Sequence, residues 1–325
     1  MSLAADRALY HLLWVADQLS MKNKEELWFA GARASLSTRL TPRSAEQNVF
    51  QPMEERHDQF LSARMMDQLP LDRPLVFRGL MNGTRARNKW TFDFLAETCK
   101  DLPQPFFRAS QGTLAMEVLP FRKGVEGILR GTPPYSYIGG TFDVLKHYPA
   151  LGRDLDLDRV IDPAFFRKKF NVHHKLFLSA DKSWSPIHAE FGVAFNLLIK
   201  GKKRWLILRP EDSCLLHPAI TRNLWIFSER YSRASDLENA RMGLRGWEVV
   251  VDEGDVLYFP PYFWHYVENL ANSISIESKW ADIPMFLRHP FLLSVILSAR
   301  NPSLLRHFKG VRDPSMMPPA NMLSS

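Results

Sequence analysis

At 325 residues, with 46% hydrophobic and 12% aromatic residues, the chain has ample material for a buried core; disorder is excluded, and one large β domain with helical additions accommodates the length. The formal charge of +7 is spread over dispersed Lys and Arg, the longest cluster being Lys200-Gly201-Lys202-Lys203-Arg204, so a solvated mixed surface is expected rather than a nucleic-acid platform. Two isolated cysteines, Cys99 and Cys214, exclude a disulfide scaffold and a cysteine-based zinc site and point to a reducing, cytoplasmic setting.

Residues 4 to 20 place Leu9, Leu12, Leu13, Val15 and Leu19 near helical spacing, with His11, Asp17 and Gln18 interrupting any secretory or membrane-spanning run. A second helix is expected over 54 to 68, from Phe60, Leu61, Met65 and Met66, before Pro70 and Pro74 break the pattern. Leu75-Val76-Phe77-Arg78-Gly79-Leu80 then reads as a strand, and Thr91 to Cys99 as a helix. These elements form an expected N-terminal region, 1–104.

From about 105 the period changes to that of strands. Leu114 to Leu119 is followed by Val172 to Leu178, Val193 to Ile199, Arg204 to Leu208, Trp247 to Val251, Val256 to Pro260, Tyr266 to Glu268 and Ser273 to Lys279. Turns such as Lys200-Gly201 and Glu253-Gly254-Asp255 separate them. Many short strands with few intervening helices predict a mainly β fold with helical decoration, a barrel or sandwich, over 105–282. Residues 209–246 are polar and irregular and are expected to be an insertion over the barrel mouth. Residues 283–310 read as a C-terminal helical segment and 311–325 as a flexible tail. In Pro290-Phe-Leu-Leu-Ser-Val-Ile-Leu-Ser-Ala-Arg300 two apolar faces on one short helix predict a homodimer through 290–308.

In Ser185-Pro186-Ile187-His188-Ala189-Glu190, His188 and Glu190 lie two apart, so on a strand both leave the same face. A third donor, His265, ends the apolar run that follows the Gly254-Asp255 turn. Two imidazoles and one carboxylate cover one face of an octahedral iron(II) and leave positions for a bidentate oxoacid and dioxygen; the same residues could also take zinc or manganese. His173-His174 are adjacent and point to opposite faces, so they read as structural, like His217.

At these segments the chain resembles the JmjC-like 2-oxoglutarate oxygenases, particularly the cupin-like group that contains the asparaginyl hydroxylase inhibiting hypoxia-inducible factor. The likeness covers Ser185 to Glu190, Phe195 to Trp205, Leu208-Arg209-Pro210, Glu248 to Asn269 and Ile274 to Ile276, and upstream Arg73 to Leu80 and Lys89-Trp90-Thr91. It implies a double-stranded β-helix, the jelly-roll barrel of cupin and JmjC proteins. It also implies iron(II), 2-oxoglutarate and dioxygen, with His188, Glu190 and His265 as the metal and catalytic residues. Lys203, Ser185 and Tyr137 fall where the distal carboxylate of 2-oxoglutarate is held, with Lys202, Arg204 and Lys279 next in line for the cation. The implied reaction is hydroxylation of a protein or peptide side chain with release of succinate and CO2; a small-molecule hydroxylase and a JmjC-type demethylase share every residue named. Three departures stand out. Glu190 replaces the usual Asp, Ala194 replaces a common Asn with Asn196 two residues on, and Ser278 or Lys279 stands where the last strand would carry an Asn.

Overall fold

The computed structural model describes residues 3–20, 28–41, 47–110, 113–130, 137–141, 143–190, 192–220, 226–228, 231–240 and 242–281. In chain order the strands are β1 (Val49–Pro52), β2 (Glu54–Arg56), β3 (Leu75–Phe77), β4 (Pro103–Ser110), β5 (Thr113–Pro120), β6 (Tyr137–Thr141), β7 (Phe170–Ser179), β8 (Trp184–Ala189) and β9 (Val193–Lys200). They continue with β10 (Lys203–Leu208), β11 (Pro218–Ile220), β12 (Ile226–Ser228), β13 (Arg245–Val251), β14 (Val256–Phe259), β15 (Trp264–Asn269) and β16 (Ser273–Ala281). Two facing mixed sheets result, one ordered β1-β13-β10-β15-β8-β12-β11 and the other β2-β3-β14-β9-β16-β7-β6-β4-β5. Among the described residues this is a jelly-roll of two sheets, with no closed ring of strands.

Alternation along the central strands makes three apolar layers. Leu206, Leu208, Trp264 and Tyr266 face outward from the seven-stranded sheet onto helix α1 (Leu3–Ser20) and helix α2 (Ala30–Leu40), through Tyr10, Trp14 and Leu36. Leu176, Leu178, Ile274, Ile276 and Trp280 face outward from the nine-stranded sheet. Between the sheets lie Trp205, Ile207, Trp247, Val249 and Val267 from one side and Ala194, Leu198, Leu257 and Phe259 from the other. Residues at even spacing thus divide cleanly between gap and outer face.

Two predicted turns set the register around the gap. Gly201 has φ +89°, and a Cβ there would meet the Asn272 carbonyl oxygen at 2.3 Å; Gly254 has φ +93°, with Asn82 Oδ1 at 2.0 Å from that position. Just beyond Gly254, Asp255 accepts from Arg78 Nη1 at 2.6 Å and from the Gly79 amide at 2.8 Å, which staples β3 to the start of β14.

Two expectations are corrected. The helix predicted over 54 to 68 is instead strand β2 followed by a helix confined to Ala63–Asp67. Glu54–Arg56 pairs in parallel with Leu75–Phe77, and the Ser62 side chain accepts from the Met65 amide, so the helix starts only there. The described residues within 209–246 carry regular structure where irregularity was expected: β11 and β12 extend the seven-stranded sheet beyond β8, and Cys214, Leu215, Leu216 and Leu237 are buried in its outer core. The helix and dimer contact expected over 290–308 and the tail over 311–325 lie outside the described residues. Among the described residues no helix is long and apolar enough to cross a membrane.

Candidate metal centre

His188 lies on β8 and His265 on β15, directly opposite each other in the antiparallel pair. The register shifts between His265 and Val267, so that Ser185 faces Val267 while His188 still faces His265. This irregularity puts Ser185 and His188, three residues apart, on the face turned to the gap. The two imidazoles stand with ring centroids 4.0 Å apart. His188 Nδ1 lies 2.6 Å from the Pro186 carbonyl and His265 Nδ1 3.0 Å from the Phe263 carbonyl. A carbonyl only accepts, so each Nδ1 carries the proton and each Nε2 the lone pair, the arrangement of a ligating histidine.

Burial holds both rings neutral. It pushes His265 down to about 4 and His188 well below the ordinary histidine range, the latter helped by His265 and by the charges of Lys279 and Lys175. Apolar rings fix them in place: Phe259 and Trp205 stand 4.8 and 5.9 Å from the His265 ring, and Phe227 of β12 stands 5.9 Å from His188.

Glu190 follows β8 immediately, and its carbonyl accepts from the Tyr262 amide at 2.6 Å, which ties this chain segment to the turn before β15. Its carboxylate is ion-paired with Lys279 of β16. Among the described residues no three His, Cys, Asp or Glu side chains converge to hold a metal. The structure therefore brings the two imidazoles together and does not complete the set with Glu190. The donor types, two nitrogens and one carboxylate oxygen, suit iron(II); two of them are arranged for it and the third is engaged by a lysine.

Lys203, on β10, is 4% exposed and donates to Ser275 Oγ of β16 at 2.7 Å. Burial brings its ammonium down to about 7, partly countered by Glu277. Lys202 and Arg204 point elsewhere, Lys202 to Asp252 at 2.9 Å and Arg204 to Glu248 at 2.5 Å, so of these three only Lys203 enters the gap. Tyr137 pairs with Ser179 along β6 and β7, while its hydroxyl lies outside the described residues.

Sequence reasoning missed the opposite wall. On β16 the residues Ser275, Glu277 and Lys279 alternate with the outward Ile274, Ile276 and Ser278, and they stand opposite Leu198, Asn196 and Ala194 of β9. Glu277 lies 3.8 Å from Lys175 of β7 and 3.1 Å from Lys279. Of the two residues at which the resemblance would put an Asn, Lys279 faces the gap, and Ser278 faces out to His174 Nδ1 at 2.8 Å. The buried Asn196 Oδ1 and Trp205 Nε1 have no hydrogen-bond partner among the described residues. The available signal was two charges at period two inside an apolar strand.

Residues 62–285 match the family model for the cupin-like domain. The chain belongs to the cupin-like family. It is similar to JmjC domain-containing protein 8 of Homo sapiens, 24% identical over 236 residues that cover 69% of this chain and 82% of that protein. It is also similar to tRNA wybutosine-synthesizing protein 5 of Mus musculus, 25% identical over 247 residues, 66% of this chain and 73% of that protein. An arginine-specific demethylase of Arabidopsis thaliana is 22% identical over 264 residues, 74% of this chain and 47% of that protein. Fold and family model thus agree on a cupin-like domain, and JmjC-named proteins are among its relatives.

Proposed function

We propose that the chain is an iron(II)- and 2-oxoglutarate-dependent oxygenase that hydroxylates a protein or peptide side chain. The observation that carries this is the pair of neutral imidazoles, Nδ1 committed to backbone carbonyls, facing each other in the gap between the sheets. His188, His265 and Glu190 would hold the metal, which supplies the activation of dioxygen coupled to decarboxylation of the oxoacid. For Glu190 to join them it must leave Lys279.

Lys203 and Ser185 would bind the distal carboxylate. A buried lysine near 7 is costly to keep charged without a counter-ion, and a carboxylate in the gap restores its ordinary charge. Trp205 on the same strand, with its buried indole N–H, and Asn196 across the gap are placed to orient whatever occupies the space between Lys203 and the histidines. Phe227, Phe259 and Trp205 exclude water from the imidazoles.

The resemblance of the Ser185–Glu190 and Glu248–Asn269 segments to the cupin-like group that contains an asparaginyl hydroxylase favours hydroxylation; a relative named as an arginine-specific demethylase makes removal of a methyl group the second reading, and one named for tRNA puts RNA among the pools to test. The experiment is turnover of labelled 2-oxoglutarate against peptide, RNA and metabolite pools, with mass spectrometry of the consumed component. Gain of one oxygen atom on a peptide supports the proposal, loss of a methyl group favours the demethylase, and no succinate from any pool in the presence of iron(II) contradicts both.

A further inference from the structure

The lysine on β16 has an unusual address. Lys279 stands opposite Ala194, whose small side chain leaves room for the long one to lean across the gap. Its Nζ reaches the Glu190 carboxylate just after β8, it is 4% exposed, and burial together with Lys175 pushes its ammonium well below the ordinary lysine range, so its charge is favoured only by the carboxylates beside it. It also lies 3.1 Å from Glu277 Oε2, a second carboxylate on its own strand. Lys203 already supplies the cation for a distal carboxylate, so the proposed activity leaves Lys279 without a task.

We infer that Lys279 is a tethered competitor for the metal: its ammonium holds the Glu190 carboxylate, and metal binding requires Glu190 to exchange this partner for the ion. The inference rests on the reading of His188, His265 and Glu190 as metal ligands. A monovalent ammonium beside a divalent ion is repelled, and the repulsion is strong where water is excluded. Glu277 makes the exchange practicable, because a displaced Lys279 keeps a carboxylate partner and is not left as an isolated buried charge. The site then has two closed states, one locked by Lys279 and one by metal, and Lys279 sets the metal concentration at which the second replaces the first.

The test is equilibrium dialysis of manganese(II) alone against the full-length parent, Lys279→Met and Lys279→Asn, with melting curves in chelator showing that affinity is read on folded chains. Two variants of different polarity guard against one that fails to fold. The expected result is manganese binding at least about tenfold tighter in both variants, with a larger metal-induced rise in Tm than in the parent; Lys279→Arg, which keeps the charge, stays near or below parent affinity. Equal affinities in the parent and the neutral variants overturn the competition and leave the metal reading standing. Weaker binding in the variants also overturns it, since Lys279 would then support the metal-bound state. No manganese binding by parent or variants overturns the metal reading together with the inference.

Discussion

The two walls of the gap divide the work. The seven-stranded sheet presents neutral donors: His188 and His265 with their protons placed on backbone carbonyls, Ser185, and a single lysine at the far end of β10. The nine-stranded sheet presents a charged ladder, Lys175, Glu277 and Lys279, with Asn196 beside it. Each wall sends one lysine across to the other, Lys203 to Ser275 and Lys279 to Glu190. The difference teaches that the imidazoles and the charged ladder are set by separate strands and meet where Lys279 reaches Glu190.

The largest effect is expected on the charged wall. Glu277→Leu removes the carboxylate shared by Lys175 and Lys279, both largely buried, and the loss of one partner from a buried ionic group costs roughly 3–5 kcal/mol of stability. Urea unfolding of parent and variant measures it; a loss below about 1 kcal/mol would show that the ladder is solvated.

Next, Lys203→Ala should weaken 2-oxoglutarate binding by about 2–4 kcal/mol, roughly thirtyfold or more, while manganese affinity stays within about threefold. Calorimetry with each ligand separates the two, and an unchanged 2-oxoglutarate affinity would move the anchor away from β10.

A pH profile sharpens the same point. The folded Lys203 sits near 7 against an ordinary 10.5, so between those values the unfolded chain holds a proton that the folded chain does not. Its contribution therefore makes the ligand-free protein more stable as pH rises from 7 towards 10. Carboxylate binding needs the ammonium, so affinity for 2-oxoglutarate should be greatest near or below pH 7 and fall by up to about tenfold per unit above it. In Lys203→Ala that slope should vanish; if it persists, another group is titrating.

The smallest effect belongs to the outer face of the same strand. Ser278→Ala loses the bond to His174 and about 1 kcal/mol of stability, with no change in either ligand's affinity. A change in 2-oxoglutarate binding would mean that the two faces of β16 are coupled.

How much of this was legible in the sequence follows the same division. The strands from Val172 to Lys279 were readable because apolar alternation and the Gly201 and Gly254 turns are local signals. The histidine pair was readable because His188 precedes a segment with a family signature and His265 ends another. The ladder was hidden, since Lys175, Glu277 and Lys279 meet only through the register of β7 with β16, and registers between distant strands leave no local mark. The inward turn of Lys279 rather than Ser278 follows from alternation along β16, whose phase is fixed by its pairing with β7 and β9. The helix expected at 54 failed for a related reason: Glu54–Arg56 takes its conformation from a partner strand some twenty residues away.

The central claim is that His188 and His265 are metal ligands, and anaerobic iron(II) titration of the parent and of His265→Ala tests it most directly. The account predicts one equivalent of iron per chain for the parent and an affinity at least about a hundredfold weaker in the variant, because one of three protein ligands is gone. A His265→Ala chain that binds iron(II) as tightly as the parent would contradict it.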